Sequence, residues 1–278
     1  MKQYEKKGYL NSEFRLFHLT DQETKEIDYH YHDFDKITIF IRGKVNYMIE
    51  GRSYDLKPYD IVLVKQGDIH KLTVDNSCPY ERIIVYISPN FMNAYQTESY
   101  DLSYCFQKAD QEHSNVLRIP SEKSSLFRSI SNLEHSFTDG GYASELYRQV
   151  MFLEFMIHLN RAVRKNRLEY IDTVNCNEKV LAILDYVGEH LCENLSIDLI
   201  AGQFYISKYY MMRLFKQETG YTLGQYISQK RLLLAKELLS SGVPGTQVCY
   251  DCGFKDYSTF SRAYKQLFGV TPSGRTCP

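Results

Sequence analysis

This chain has no long apolar run and almost no net charge. No stretch approaches the roughly 18 apolar residues that a membrane span needs, and the N-terminus lacks the apolar core of a signal peptide. We therefore expect a cytoplasmic chain with no membrane partner. The formal net charge of −1 over 278 residues excludes attraction to polyanions through bulk charge, so any such binding must come from local patches.

The sequence also lacks the cysteine pattern of a disulfide-bonded protein. The seven cysteines are an odd and scattered set, which is typical of reduced thiols rather than of a disulfide framework. Cys249 and Cys252 form one C-x-x-C pair, but no second pair completes a zinc set. We therefore predict no redox or metal role for this pair.

The first part of the chain has the spacing of short strands. The length of 278 residues is enough for two domains with full cores. Residues 36–42 and 45–50 predict a hairpin around Gly43, and Gly51 marks the next turn. Residues 61–64, 69–74 and 82–87 continue the pattern, which favours a small β-barrel or jelly roll.

Three histidines fall within this region. His30 and His32 are two residues apart, so in a strand they face the same way, and His70 follows Gln66-Gly67-Asp68. These positions resemble the two motifs of the cupin fold. The resemblance implies a sensor domain whose effector pocket is lined by His30, His32, Tyr47, His70 and Tyr86. Tyrosine-rich walls suit a small, sugar-like molecule.

Metal binding by the same histidines is an alternative hypothesis. His30, His32 and His70 could form a three-histidine set for iron, manganese or nickel, in a metal-dependent enzyme or a metal-responsive regulator. Enzymatic cupins usually add a glutamate a few residues after the histidine pair. This chain has Lys36 there, which would repel a cation, so we predict no metal.

Two amphipathic helices are predicted after the strands. The first opens at Pro120-Ser121 and ends at Asp139-Gly140-Gly141. The second is apolar on more than one side, and residues 161–167 then form a basic run that we interpret as a solvated linker. Since one barrel covers only one face, the pattern favours homodimerisation through this segment.

Two helix-turn-helix patterns occupy the last hundred residues. In the first, Ser207 caps a helix over residues 208–219 and Gly220 stops it. The outer face of that helix carries three cations and no acid: Lys208, Tyr209, Met212, Arg213 and Lys216. Arg213 is suited to a bidentate contact with guanine and Lys216 to a phosphate, which points to double-stranded DNA.

A longer helix over residues 223–240 leads to the second pattern. This runs through residues 245–250, turns at Asp251-Cys252-Gly253-Phe254, and starts a helix near Tyr257. Its predicted outer face is Tyr257, Ser258, Thr259, Ser261, Arg262 and Lys265. Lys208, Arg213, Lys216, Lys230 and Arg231 form the expected basic patch. Two short helices spaced this way suit successive major-groove segments.

The C-terminal motifs resemble the AraC family of bacterial transcription regulators. The shared residues are Ser207-x-x-Tyr210-x-x-Arg213-Leu214-Phe215-Lys216-x-x-Thr219-Gly220, Arg231-x-x-x-Ala235-x-x-Leu238-Leu239, Gly253-Phe254, Phe260-Ser261-Arg262 and Phe268-Gly269-Val270-Thr271-Pro272. The resemblance implies base contacts from Tyr209, Met212, Arg213, Tyr257, Ser258 and Arg262. It implies phosphate contacts from Ser207, Lys208, Lys216, Thr259 and Lys265, and RNA polymerase as a partner if the chain is an activator.

The expected fold is therefore of the α+β class. We predict a cupin-like sensor domain over residues 1–112, a helical dimerisation segment and linker over 113–172, and an all-α domain with two helix-turn-helix motifs over 173–278. The resemblance implies a sequence-specific transcription regulator, an activator, that is controlled by a small-molecule effector. It also implies no enzyme, no catalytic residue and no cofactor.

Overall fold

The chain consists of two compact units. The structure, a computed structural model, describes residues 5–6, 10, 12–22, 26–75, 77–174 and 177–273. The units divide between residues 175 and 176, and residues 113–172 pack within the first unit. None of the described helices is long and apolar enough to cross a membrane.

The first unit is built on two sheets. The first sheet has the order β1-β3-β8-β5-β6 and the second sheet the order β11-β10-β7-β4-β9-β2, with antiparallel pairing except between β1 and β3. The strands are β1 Glu5–Lys6, β2 Phe14–Asp21, β3 Glu26–Tyr31, β4 Asp35–Arg42, β5 Lys44–Ile49, β6 Arg52–Asp55, β7 Ile61–Val64, β8 His70–Asp75, β9 Tyr80–Ile87, β10 Val116–Arg118 and β11 Glu169–Tyr170. The expectation of an α+β fold with an N-terminal β domain is confirmed.

Gly43 does not form the predicted hairpin. β4 pairs with β7 and β9, whereas β5 pairs with β6 and β8, so the chain passes from the second sheet to the first at this residue. Gly43 has φ 138°, and a Cβ there would lie 3.2 Å from the Cα of Tyr80. Glycine is needed for this close crossing. The turn predicted at Gly51 does join β5 to β6.

Both faces of β4 are buried. Ile37, Ile39 and Ile41 pack against the helices, while Phe40 packs between the two sheets. Because strand residues alternate, Lys36 and Thr38 share the inner face with Phe40. A lysine is thereby placed inside the unit.

Helices cover the outer face of the second sheet. They are α1 Pro89–Asn93, α2 Tyr104–Gln111, α3 Ser125–His135, a short 3-10 turn Ser136–Thr138, and α4 Ser144–Arg164. The start predicted at Pro120-Ser121 is wrong: the Ser124 hydroxyl accepts the Phe127 amide and sets the start of α3. The expected linker over 161–167 is also corrected, because Arg161 and Arg164 form the last turn of α4.

The second unit is all helical in its described part. Its helices are α5 Glu178–Glu189, α6 Ile197–Gln203, α7 Lys208–Thr219, α8 Leu223–Ser240, α9 Gly245–Asp251 and α10 Tyr257–Phe268. The predicted bounds of α7 and α8 are confirmed to the residue. Thr222 and Gln225 form a reciprocal capping box at the start of α8, which fixes its first turn.

Candidate DNA-binding helices and sensor cavity

Helix α7 separates a buried face from an exposed one. Ser207 caps it by accepting the Tyr210 amide, and Met211, Phe215 and Thr219 are buried. The predicted outer residues lie on the opposite side: Lys208, Tyr209, Arg213 and Lys216 are exposed, and Met212 is half-buried. Tyr209 is 83% exposed, so its ring is available to a ligand of this face.

One cation of this face already has a partner. Lys208 Nζ lies 2.9 Å from Asp198 Oδ1, on α6. Both side chains are exposed, and such a pair contributes little stability. A phosphate contact from Lys208 would use the N–H donors that the carboxylate leaves free, or would replace the carboxylate.

Helix α10 has a similar division of faces. The Asp256 carboxylate accepts the Thr259 amide at the start of the helix, and this hydrogen bond lowers the pKa of Asp256. Asp256 is not among the caps predicted above, although an aspartate before an amphipathic run is a usual signal of a helix start. Phe260 and Tyr264 are buried, whereas Ser258, Thr259, Arg262 and Lys265 are exposed.

Tyr257 does not join that outer face. Its ring lies against Phe260 with centroids 5.8 Å apart, and it packs on the core cluster of α8, α9 and α10. The prediction that Tyr257 points outward is therefore wrong. The first residue of the helix turns inward because its aromatic ring fills the space beside Phe260.

Arg231 does not lie on the exposed face where the sequence predicts it. Its guanidinium donates to the carbonyl oxygens of Leu191, Glu193 and Gly253 at 2.8, 2.6 and 2.8 Å, and the side chain is partly buried. Arg231 therefore connects the segment after α5 to the turn after α9 through hydrogen bonds. It does not belong to the basic patch that was expected with Lys208 and Arg213.

The cysteine pair lies in the same core. Cys249 and Cys252 are both fully buried on or next to α9. Burial raises the pKa of Cys252 to about 12, which leaves the thiol protonated and unreactive at neutral pH.

The first unit holds a cavity between its two sheets, of about 200 Å³. Four of the five predicted pocket residues line it: His30, His32, Tyr47 and Tyr86. His70 is fully buried beside them, with its ring centroid 4.2 Å from that of His30. The predicted pocket residues therefore cluster, and His70 lies behind the wall rather than in it.

The cavity also contains residues that sequence reasoning missed. Lys36, Thr38, Tyr80 and Arg82 line it together with Asp21. A signal for Arg82 was present, because it lies four residues before Tyr86 on β9 and must share its face. Arg82 Nη2 donates to Asp21 Oδ2 at 2.7 Å, and its guanidinium carbon lies 4.2 Å from the centre of the Tyr80 ring.

The histidine cluster is oriented by the backbone. Nδ1 of His30 lies 2.9 Å from the Asp28 carbonyl oxygen, and Nδ1 of His70 lies 2.9 Å from that of Asp68. Because a carbonyl can only accept, both Nδ1 atoms carry a proton. The Nε2 atoms are then the basic ones, and the candidate ligand atoms of His30, His32 and His70 lie within 4.8 Å of one another.

Lys36 makes this set a poor fit for a divalent cation. Its Nζ lies 3.4 Å from His70 Nε2, so the ammonium occupies the lone pair that a metal would use. Burial and then the charge of Arg82 lower the pKa of Lys36 to about 7. Burial, followed by Lys36, lowers the pKa of His70, which keeps the imidazole neutral.

A β unit with a polar internal cavity, joined to a unit with two capped helix-turn-helix motifs, defines a ligand-responsive transcription regulator. Comparisons agree with this class. Residues 16–151 match the family model of an AraC-like ligand binding domain, and residues 200–274 match that of a helix-turn-helix domain. The chain belongs to the AraC family of transcription regulators.

Individual relatives have low sequence identity to this chain. The HTH-type transcriptional activator RhaS of Escherichia coli (strain SMS-3-5 / SECEC) is 25% identical over 246 residues, which are 87% of this chain and 85% of RhaS. Among solved structures, ToxT of Vibrio cholerae is 18% identical with a TM-score of 0.36, over 94% of this chain and 97% of ToxT. The C-terminal domain of AraT from Geobacillus stearothermophilus is 26% identical with a TM-score of 0.35, over 36% of this chain and 84% of that domain.

Proposed function

We propose that α7 and α10 read two successive major-groove segments of one DNA site. The observation that carries the proposal is that each helix is capped at its start, buried on one face, and exposes an arginine on the other, Arg213 and Arg262. Tyr209, Met212 and Ser258 lie on the same outer faces and would contact base edges with them. Ser207, Lys208, Lys216, Thr259 and Lys265 would hold phosphates.

Selection of bound sequences from a random DNA pool tests this function. The full chain should recover one defined motif. Arg213→Ala should bind that motif more weakly by about 1 to 3 kcal/mol and lose preference at one position, because a bidentate guanine contact is removed. Arg128→Ala is the matched control, since Arg128 is an exposed arginine on α3 and its loss changes the net charge equally.

Two outcomes would contradict the proposal. Recovery of no motif by the parent chain would remove the assignment of sequence-specific binding. An equal loss of DNA affinity for Arg128→Ala and Arg213→Ala would mean that binding depends on net charge and not on a contact made by the outer face of α7.

The cavity of the first unit is the proposed sensor. A small, sugar-like molecule among its tyrosines would favour one arrangement of the DNA-binding units, and it can do so only if it binds that arrangement more tightly. The name of the relative RhaS supports activation, in which RNA polymerase would be the next partner. Such a regulator would work in the cytoplasm, where its DNA is.

We further propose that α4 pairs two copies of the chain. Leu146, Val150 and Ile157 are 60%, 46% and 40% exposed, and they form a stripe together with Leu153. Spacings of four, three and four residues place these side chains on one helical face. An exposed apolar stripe on a helix whose other side is buried is a usual homodimer surface.

A further inference from the structure

The cavity of the first unit has more positive than negative charge in its wall. Two of its lining residues are cations by type, and both are buried: Lys36 is 5% exposed and Arg82 is 8% exposed. Asp21 is the one carboxylate among the described residues that line the cavity. A buried charge without a countercharge is destabilising, which is why the pKa of Lys36 is lowered to about 7, and an anion in the cavity would stabilise the charged form of this lysine.

Asp21 compensates Arg82 and not Lys36. The carboxylate accepts a hydrogen bond from Arg82 Nη2 at 2.7 Å, and Arg82 Nη1 donates to the Tyr80 carbonyl oxygen. Nε of Arg82 is buried and has no hydrogen-bond partner among the described residues. This Nε is enclosed by protein atoms, so what Arg82 contributes to the cavity wall is the charge of its guanidinium.

Lys36 is surrounded by neutral groups. Its Nζ lies 3.4 Å from His70 Nε2 and 5.5 Å from the centre of the Tyr47 ring. Neither contact supplies a negative charge, and Arg82 lowers the pKa of Lys36 further by repulsion. The protonated lysine therefore lacks the carboxylate that buried cations in proteins usually have.

We propose that the effector is a small organic acid whose carboxylate pairs with Lys36, beside the guanidinium of Arg82. This inference rests on the proposed sensor function and names the chemical class that the cavity takes. A single carboxylate supplies the negative charge that Lys36 lacks among the described residues of the wall. Hydroxyl groups on the same molecule would meet the polar tips of Tyr80 and Tyr86, so a sugar acid fits best.

Other occupants match the cavity less well. A metal ion would lie beside an ammonium and would compete with it for His70 Nε2. A neutral sugar would supply no negative charge to pair with Lys36. The volume of about 200 Å³ is below the roughly 300–1,000 Å³ of pockets for drug-sized ligands, which restricts the acid to a small metabolite.

Calorimetric titration of the full chain tests the proposal. The probes are acetate, gluconate, glucuronate and galacturonate, with the methyl esters of both uronates, the parent neutral sugars and a sugar phosphate. At least one acid should bind about tenfold or more tightly than its ester or neutral counterpart, because a charge-assisted hydrogen bond is lost in those.

Variants connect that preference to one residue. Lys36→Met should abolish the difference between acid and ester, whereas Lys57→Met, which removes an exposed lysine of the same unit, should retain it. Methionine suits a buried site in shape, so the first variant should fold. If its circular dichroism shows otherwise, Lys36→Gln serves in its place, and loss of the acid preference is again the expected result.

Three results would overturn the inference. They are equal binding of acid and ester, tighter binding of the sugar phosphate, and no binding of any probe. The selection of DNA sequences described above needs none of these compounds. A chain that recovers a DNA motif but ignores every acid would therefore contradict the organic acid and leave the regulator intact.

Discussion

At the scale of single residues, two adjacent ionisable side chains at the start of β4 face opposite ways. Lys36 points between the sheets, whereas Asp35 Oδ1 accepts the amide of Gln66 on the other side. Burial raises the pKa of Asp35 to about 6 and lowers that of Lys36 to about 7. Each side chain thus destabilises the fold in its charged form.

Asp35 gives a pH-dependent prediction. Its folded pKa of about 6 lies above its ordinary value of 3.8, so the folded state holds the proton more tightly. Stability therefore falls as pH rises from about 4 to 6, and the penalty is fully present above that. Asp35→Asn removes the charge and retains an acceptor for Gln66, so it should stabilise the chain at pH 7.5 by about 1 to 3 kcal/mol.

Urea unfolding at several pH values measures this effect. The gain of Asp35→Asn should shrink as pH falls and disappear near pH 4, where the parent carboxyl is protonated. Asp172→Asn, at an exposed aspartate of the same unit, should show no comparable gain at any pH. A gain of constant size across the range would mean that something other than ionisation of Asp35 is responsible.

Residue-level prediction from sequence succeeded where periodicity fixes a direction. The two-residue spacing of His30 and His32 was sufficient to place both rings in one cavity. It failed where direction depends on a partner far along the chain. Arg231 carries the charge of a DNA ligand, but carbonyl groups at residues 191, 193 and 253 surround it, and no local pattern contains that fact.

At the scale of elements, helices were more predictable than strand pairing. The ends of α7 and α8 follow from Ser207, Gly220 and Thr222, whose side chains or conformations satisfy the free groups of a helix terminus locally. The partner of a strand is decided elsewhere. Gly43 looks like a hairpin turn in the sequence, and only the approach of Tyr80 to its backbone makes it a crossing between sheets.

The turn between α9 and α10 contains a glycine that no larger residue can replace without a clash. Gly253 has φ +80°, and a Cβ there would lie 2.8 Å from the Cys192 carbonyl oxygen and 2.9 Å from the Arg231 guanidinium carbon. Gly269, which ends α10, has φ +77° but nothing within 4 Å of the same position. The two glycines share a backbone conformation and differ in their surroundings.

Gly253→Ala should therefore destabilise the second unit more than Gly269→Ala. The strain of the left-handed backbone is common to both and costs about 1 kcal/mol. The clash with the backbone of residue 192 and the displaced Arg231 should bring the total for Gly253→Ala to about 2 to 4 kcal/mol. Urea unfolding of both variants checks the difference, and equal losses would show that backbone strain alone explains the role of Gly253.

At the scale of the whole molecule, sensing and DNA binding lie in different compact units. An effector in the first unit can alter DNA binding only by favouring one of at least two arrangements of the assembly. Two copies joined through the first units provide such arrangements, since each effector could then change how two DNA-binding units are presented to one site. The association of two chains is therefore part of the regulatory proposal.

The apolar stripe of α4 makes this association testable. Val150 is 46% exposed, so Val150→Glu should leave the fold of one chain intact while placing a charge in the proposed interface. We expect the parent chain to sediment as a dimer at micromolar concentration and the variant to sediment as a monomer, with dissociation favoured by about 100-fold. Ser131→Glu, on the exposed side of α3, adds the same charge and should remain dimeric. A parent chain that is monomeric at these concentrations would remove α4 as a dimer surface, and effector control would then have to act between the two units of a single chain.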